Sequence, residues 1–287
     1  MAGQAVSRRQ SIMDAITSRS YVLGHCETEL RRLAMQSAFW GELTEEIFRR
    51  AGIGVGMRVL DVGCGPGDVS FLAARLVGTS GSVLGIDRSE DAVKRASARA
   101  AEQGLGHCRF AAADVEAFET DQRFDAVVGR LVLMYLKDPA RTLRSLIRQL
   151  RPGGIVAFHE IILNSMLCVP PVPLLSRVVQ WVVTAFERSG AELDMGLKLA
   201  ATFRAAGLSP PEPYAAARPV AGADSAGYAV LAGVTGSLLP AIEKLGIATA
   251  AEVDIDTLAD RLREATVAAD ACWLSPVMVG AWARIGA

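Results

Sequence analysis

The chain has 287 residues, about half of them apolar and 21% charged, which is enough for one large α/β domain with room for a substrate cover. Its net charge is −1 with no Lys/Arg block, which leaves out the basic stripe that a nucleic-acid partner needs. Five scattered cysteines (Cys26, Cys64, Cys108, Cys168, Cys272) are never spaced C-x-x-C, which argues against a disulfide framework and a thiolate zinc site, and no metal is expected. The polar opening MAGQAVSRRQSIMDAITSRS has no apolar core of secretory type. The longest apolar run, LSRVVQWVVTAFERSG, is interrupted by Arg177 and Gln180 and is too short to span a bilayer. A cytoplasmic chain without a membrane span is the expectation.

In chain order, residues near 8–50 read as helical, with Leu30, Leu33, Phe39 and Leu43 at three- and four-residue spacing. Residues 1–54 are thus predicted to form an N-terminal helical cover. Gly52, Gly54 and Gly56 end that pattern, and a strand is predicted over 58–62. Further strands are predicted at 82–87, 107–114, 124–130 and 153–161. Helices fit between them at 68–77, 89–103 and 139–150, with a turn after Asp114. Continuous apolar strands such as Ala126-Val127-Val128 suit a parallel sheet covered on both faces. Right-handed crossovers then give an α/β, doubly wound, Rossmann-like sandwich over 55–161. Beyond it, 164–176 is proline-punctuated, helices are predicted at 174–189, 193–206, 225–246 and 255–270, and strands at 212–220 and 273–286. Residues 162–287 are read as sheet completion with helical lid insertions, and the whole chain as a single domain.

The strongest local signal is Val59-Leu60-Asp61-Val62-Gly63-Cys64-Gly65-Pro66-Gly67-Asp68. Three glycines turn out of a strand into a helix N-terminus, where the backbone can pass close to a ligand and free N–H groups point at it. A dinucleotide fingerprint would require glycine where Asp68 stands, and a P-loop would require a Lys-Ser/Thr pair that is absent. S-adenosylmethionine has no phosphate, and its cationic sulfonium and ammonium suit an acidic surround.

With this motif the chain resembles the class I S-adenosylmethionine-dependent methyltransferases, of the small-molecule, quinone and natural-product type. Two further matches follow in order. Asp87 ends the second strand, twenty-two positions after Gly65, where a carboxylate can take both ribose hydroxyls. Asp114 ends the third, where the family places an acid at the adenine amino group. The segment 124–154 resembles the family's fourth strand, helix and turn into the fifth strand. The resemblance covers 55–161 and implies a seven-stranded sheet with its last strand antiparallel. It implies S-adenosylmethionine as cofactor, held by Tyr21, Asp61, Gly63, Cys64, Gly65, Gly67, Asp87, Arg88, Asp114, Val115 and Arg130. Arg31 or Arg32 is a candidate partner for the cofactor carboxylate.

Methyl transfer asks the protein mainly to align acceptor, methyl and sulfur and to exclude water. Two histidines are candidate bases for an acidic acceptor: His159, beside Glu160 at the end of the fifth strand, and His25, near Tyr21. His159 and Glu160 should face opposite sides of the strand, so at most one addresses the site. Gly129-Arg130-Leu131-Val132 replaces the Asn/Asp-Pro-Pro-Tyr motif of many amine methyltransferases, which favours an oxygen or carbon acceptor. Met166, Leu167, Val169, Trp181 and Phe186 are candidates for an apolar substrate chamber, or for a homodimer face. The alternative function is a cofactor-binding protein of the same fold that runs a rearrangement or serves as a non-catalytic partner.

Overall fold

Uninterrupted apolar runs build the centre of the molecule. Val59-Leu60, Ala126-Val127-Val128 and Ile155–Phe158 are all buried, as strands covered by helices on both faces must be. The structure is a computed structural model that describes residues 27–286, with side chains described from Phe39 onward. Tyr21, His25 and the first part of the predicted N-terminal helix lie outside the described residues, as do the side chains of Arg31 and Arg32.

The first half alternates helix and strand: α1 (Glu27–Ala51), β1 (Arg58–Val62), α2 (Asp68–Val77), β2 (Ser82–Asp87), α3 (Glu90–Glu102), β3 (Cys108–Ala112), β4 (Phe124–Arg130), α4 (Pro139–Ile147) and β5 (Leu150–Ile162). Local chemistry sets several boundaries. Ser89 Oγ accepts from the Ala92 N–H to start α3, and Asp138 does the same for Arg141, with Pro139 in the first turn of α4. The second half adds β6 (Leu167–Val169), α5 (Pro173–Arg188), α6 (Met195–Ala205), β7 (Glu212–Ala216), β8 (Pro219–Val220), α7 (Gly227–Lys244), α8 (Ala250–Val253), α9 (Ile255–Ala268), β9 (Cys272–Leu274) and β10 (Val277–Arg284).

Seven strands form one sheet in the order β3-β2-β1-β4-β5-β10-β7. The first five pair in parallel, and β10 runs antiparallel to both β5 and β7. This is the doubly wound sheet with an antiparallel last strand that the sequence leads one to expect. One apolar layer lies between the sheet and α1 and α2, through Ile47, Phe48, Val59, Phe71 and Trp282. The other contains Leu143, Phe158, Leu199 and Phe203, and continues into the cover through Val178, Trp181, Leu238 and Leu258.

Two predicted strands are each divided in the structure. Residues 212–220 form β7 of the large sheet and β8 of a second, three-stranded sheet ordered β6-β9-β8. Residues 273–286 likewise split between β9 and β10 at Ser275-Pro276. Proline cannot donate to a ladder, so Pro276 and Pro219 mark where the chain leaves one sheet for the other.

Candidate cofactor and substrate site

Gly63, Gly65 and Gly67 all adopt positive φ, at 64°, 51° and 94°, a conformation that side chains disfavour. They serve different ends. A Cβ on Gly65 would meet nothing within 4 Å, and Gly65 lines the cavity at the carboxyl ends of the strands, so its bare backbone faces the space a ligand would use. A Cβ on Gly63 would come within 2.5 Å of Val132, so this glycine lets the loop dock on the turn after β4. Gly67 is buried against Phe71 and Phe110 and does not line the cavity.

Asp87, at the end of β2, takes the Gly65 N–H on Oδ2 and the Ser89 N–H on Oδ1, both at 2.9 Å. Each carboxylate oxygen keeps a second lone pair, which suits a vicinal diol. The glycine loop and this acid are therefore tied to each other. Asp114 is exposed at the cavity edge, and its Oδ1 accepts from the Glu116 N–H at 2.9 Å. Cys64, Arg88, Val115 and Arg130 also line the cavity, whose volume is about 440 Å³. Burial pushes the Cys64 thiol well above its usual range. Arg99 pairs with Asp68 at 2.8 Å and donates to the Pro66 carbonyl, holding the loop from behind.

Two residues expected at the ligand stand away from it. Asp61 is buried and absent from the cavity wall. It accepts a 2.5 Å bond from Ser70, and burial raises it to about 7. It braces β1 against α2. His159 is fully buried and also off the wall, with burial first and Arg130 second pulling it down to about 3. His159 therefore does not face the cavity directly. His25 lies outside the described residues.

Glu160 has a task that sequence reading did not assign. Its Oε1 accepts the N–H groups of Val132 and Leu133 at 2.9 and 2.8 Å. Leu131, just before them, has φ 56°, a strained conformation for a leucine that its surroundings must hold. Glu160 and the Leu131 N–H bond to the His159 carbonyl supply that hold. Arg95 of α3, equally unforeseen, lines the cavity as well.

Apart from Asp68, Glu116, Tyr135, Lys137 and Ser275, the rest of the wall is apolar: Phe39 and Trp40 from α1, Val179, Val182, Val183 and Phe186 from α5, Val230, Leu231 and Val234 from α7, with Met166 and Trp273. Of the five chamber candidates, Met166 and Phe186 face the cavity. Leu167 and Val169 are exposed on β6, and Trp181 belongs to the core. Among the described residues no His, Cys, Asp and Glu cluster is arranged for a metal ion.

A glycine loop at the carboxyl ends of parallel strands, with acids on β2 and after β3, defines a nucleoside-binding site of the Rossmann-like class. The methyltransferase-domain family matches residues 53–182. A ubiquinone/menaquinone biosynthesis C-methyltransferase of Ectopseudomonas oleovorans is 34% identical over 117 residues, covering 40% of this chain and 67% of that protein. A ubiquinone biosynthesis O-methyltransferase of Parvibaculum lavamentivorans is 40% identical over 103 residues, covering 35% of this chain and 38% of that one. The matches to the first curated relatives span 38% of those proteins' length. The solved YcgJ protein of Bacillus subtilis shares the fold with a TM-score of 0.56 at 18% identity, over 85% of this chain and 98% of that one. This chain belongs to the family of S-adenosylmethionine-dependent methyltransferases.

Proposed function

We propose that the chain transfers a methyl group from S-adenosylmethionine to an oxygen or carbon of a small apolar or aromatic molecule. The observation that carries this reading is one cavity shared by two surfaces: the glycine loop with Asp87 and Asp114, and an apolar chamber from α1, α5 and α7. The residues fit the cofactor. Gly65 leaves the space that a Cβ would fill, and Asp87 keeps a lone pair on each oxygen for the ribose hydroxyls. Asp114 and Val115 border the place for the adenine.

The cofactor, when bound, supplies a methyl group on a positively charged sulfur, open to in-line displacement by a nucleophile. The protein's share is alignment and the exclusion of water. Phe39, Trp40, Phe186 and Val230 present hydrocarbon surface, which costs nothing in a reaction that consumes positive charge. Among the described residues no histidine lines the cavity, and His25, which lies outside them, remains the candidate base for an acidic acceptor. The relatives named as quinone O- and C-methyltransferases support phenolic or quinol-like acceptors.

The reading extends to one domain, with 1–54 and 162–287 covering the core, and to a cytoplasmic home. Among the described residues no helix is long and apolar enough to cross a membrane. A homodimer is part of the reading too, supported by exposed Leu167 and Val169 on β6.

Calorimetry with S-adenosylmethionine and S-adenosylhomocysteine tests the first step, and release of S-adenosylhomocysteine with a panel of catechols and quinols tests the second. Binding of both ligands, with S-adenosylhomocysteine formed in step with a methylated acceptor, is expected. A folded sample that binds neither would overturn the assignment.

A further inference from the structure

Side chains alternate in burial along the short strand β9: Cys272 is exposed and Trp273 is buried, as neighbours on a strand point to opposite faces. Trp273 pairs with Cys168 of β6 on one side and Val220 of β8 on the other. Its ring packs 6.3 Å from that of Tyr228, whose hydroxyl donates to the Gly222 carbonyl at 3.0 Å. Gly227 brings the start of α7 onto Val220, where a Cβ would come within 2.3 Å of that side chain. The indole is thus fixed by backbone pairing on both edges and by a ring neighbour, and it lines the cavity.

An indole N–H only donates, and a buried one ordinarily has a partner. Trp273 is 3% exposed, yet its Nε1 makes no hydrogen bond. Among the described residues, two cavity-lining side chains carry such a buried donor: Arg95, from α3 on the cofactor side, and Trp273 in the cover. Ser275, a polar wall residue two positions further on, is already committed. Its Oγ accepts from the Arg218 N–H at 2.9 Å and donates to the Pro276 carbonyl at 3.2 Å. The α5 and α7 side chains around the chamber are hydrocarbon and offer no lone pair. The donor in this chamber is therefore left to the molecule that enters it.

We infer that Trp273 is a specificity-determining residue for the methyl acceptor, and that its indole N–H donates to an oxygen of that molecule. The inference rests on the reading of the cavity's apolar half as the acceptor chamber. A fixed donor in a hydrocarbon wall selects a neutral ring compound with a carbonyl, phenolic or ether oxygen. It discriminates against a bare hydrocarbon, which leaves the N–H unpaired, and against an ammonium group, which has no lone pair to offer. The same bond fixes which end of the acceptor meets the small sheet.

The test adds benzophenone or diphenylmethane, which are similar in shape and differ in a carbonyl against a methylene, to protein saturated with S-adenosylhomocysteine. With isotope-labelled tryptophan the chain gives four indole N–H signals in nuclear magnetic resonance, and Trp273→Phe identifies the one from Trp273. Benzophenone should move that proton downfield, and diphenylmethane should move it far less. By calorimetry Trp273→Phe, which keeps an aromatic ring, should weaken benzophenone about three- to tenfold and leave diphenylmethane within about twofold. Should Trp273→Phe fail to fold, the signal is assigned through its neighbour Tyr228, and the wild-type spectra decide. A Trp273 signal that responds alike to both probes, or equal losses of both in the variant, overturns the inference. So does binding of neither probe by protein that takes S-adenosylhomocysteine. Failure of the wild type to bind S-adenosylhomocysteine would instead sink the cofactor assignment.

Discussion

The two halves of the cavity recognise by different means. On the cofactor side, polar groups stand at the ends of neighbouring strands, so sheet register sets their spacing: Asp87 at the end of β2 lies opposite Ala112, two residues before Asp114, and Arg130 ends β4. On the cover side, helices α5 and α7 present valine, leucine and phenylalanine with no charged side chain. The first surface reads hydrogen-bonding groups at fixed distances, and the second reads shape and the absence of charge. One cofactor and a changeable acceptor call for this division.

Three changes would break or sharpen that contrast. The largest effect is expected from Asp87→Ala, which removes the ribose acceptors and frees the Gly65 and Ser89 N–H groups they now hold. Affinity for S-adenosylhomocysteine should fall by about 3 kcal/mol, on the order of a hundredfold in Kd, as read by calorimetry. Next comes Val179→Asp, which sets a carboxylate in the apolar wall of α5. It should cost about 2 kcal/mol of stability in denaturant unfolding and halt uptake of apolar acceptors, with cofactor affinity unchanged. A matching loss of cofactor affinity would mean that the two halves are not independent.

The smallest effect is a slope. Burial raises Glu160 from 4.5 to about 7, against the pull of the backbone N–H groups it accepts. A carboxyl whose folded value lies above its unfolded one binds its proton more tightly when folded. Its contribution to stability is therefore full below about 4.5 and is lost as pH rises through about 7. Glu160→Gln keeps an oxygen for Val132 and Leu133 and removes the titration. Between pH 5 and 7 the wild type should lose stability more steeply than the variant, by up to about 1.4 kcal/mol per pH unit. Asp61, also raised to about 7, is present in both proteins and cancels. Parallel slopes would show that Glu160 does not titrate there.

The same contrast explains what could be read from the amino acids. Strands 58–62, 82–87 and 124–130 and helix 68–77 match the structure end to end, because glycines punctuate them and buried parallel strands are written as unbroken apolar runs. Gly65 was marked by the glycine punctuation and Asp87 and Asp114 by the resemblance to the methyltransferase family, and all three line the cavity. The contact of Thr44 with His159 and the anchoring by Glu160 were not legible, since each depends on partners far along the chain: His159 is 115 positions from Thr44, and Val132 is 28 from Glu160. Strand alternation separated His159 from Glu160 but could not show that neither reaches the cavity. The small sheet escaped notice because β6 and β8 have three and two residues, too few to show a period, although Pro219 and Pro276 marked its seams.

Those seams bear on how the protein assembles. β9 closes the small sheet between β6 and β8, and two residues later β10 enters the large sheet between β5 and β7, with Ser275 and Pro276 facing the cavity between them. The floor of the site and its roof are thus fastened by one short stretch near the end of the chain. During synthesis the Rossmann-like core can collect its five parallel strands early, but the acceptor chamber stays without its clasp until residues 272–284 have emerged. These pairings are the long-range contacts that close slowly, so the newborn chain should acquire methyl-acceptor binding after its cofactor cleft has formed.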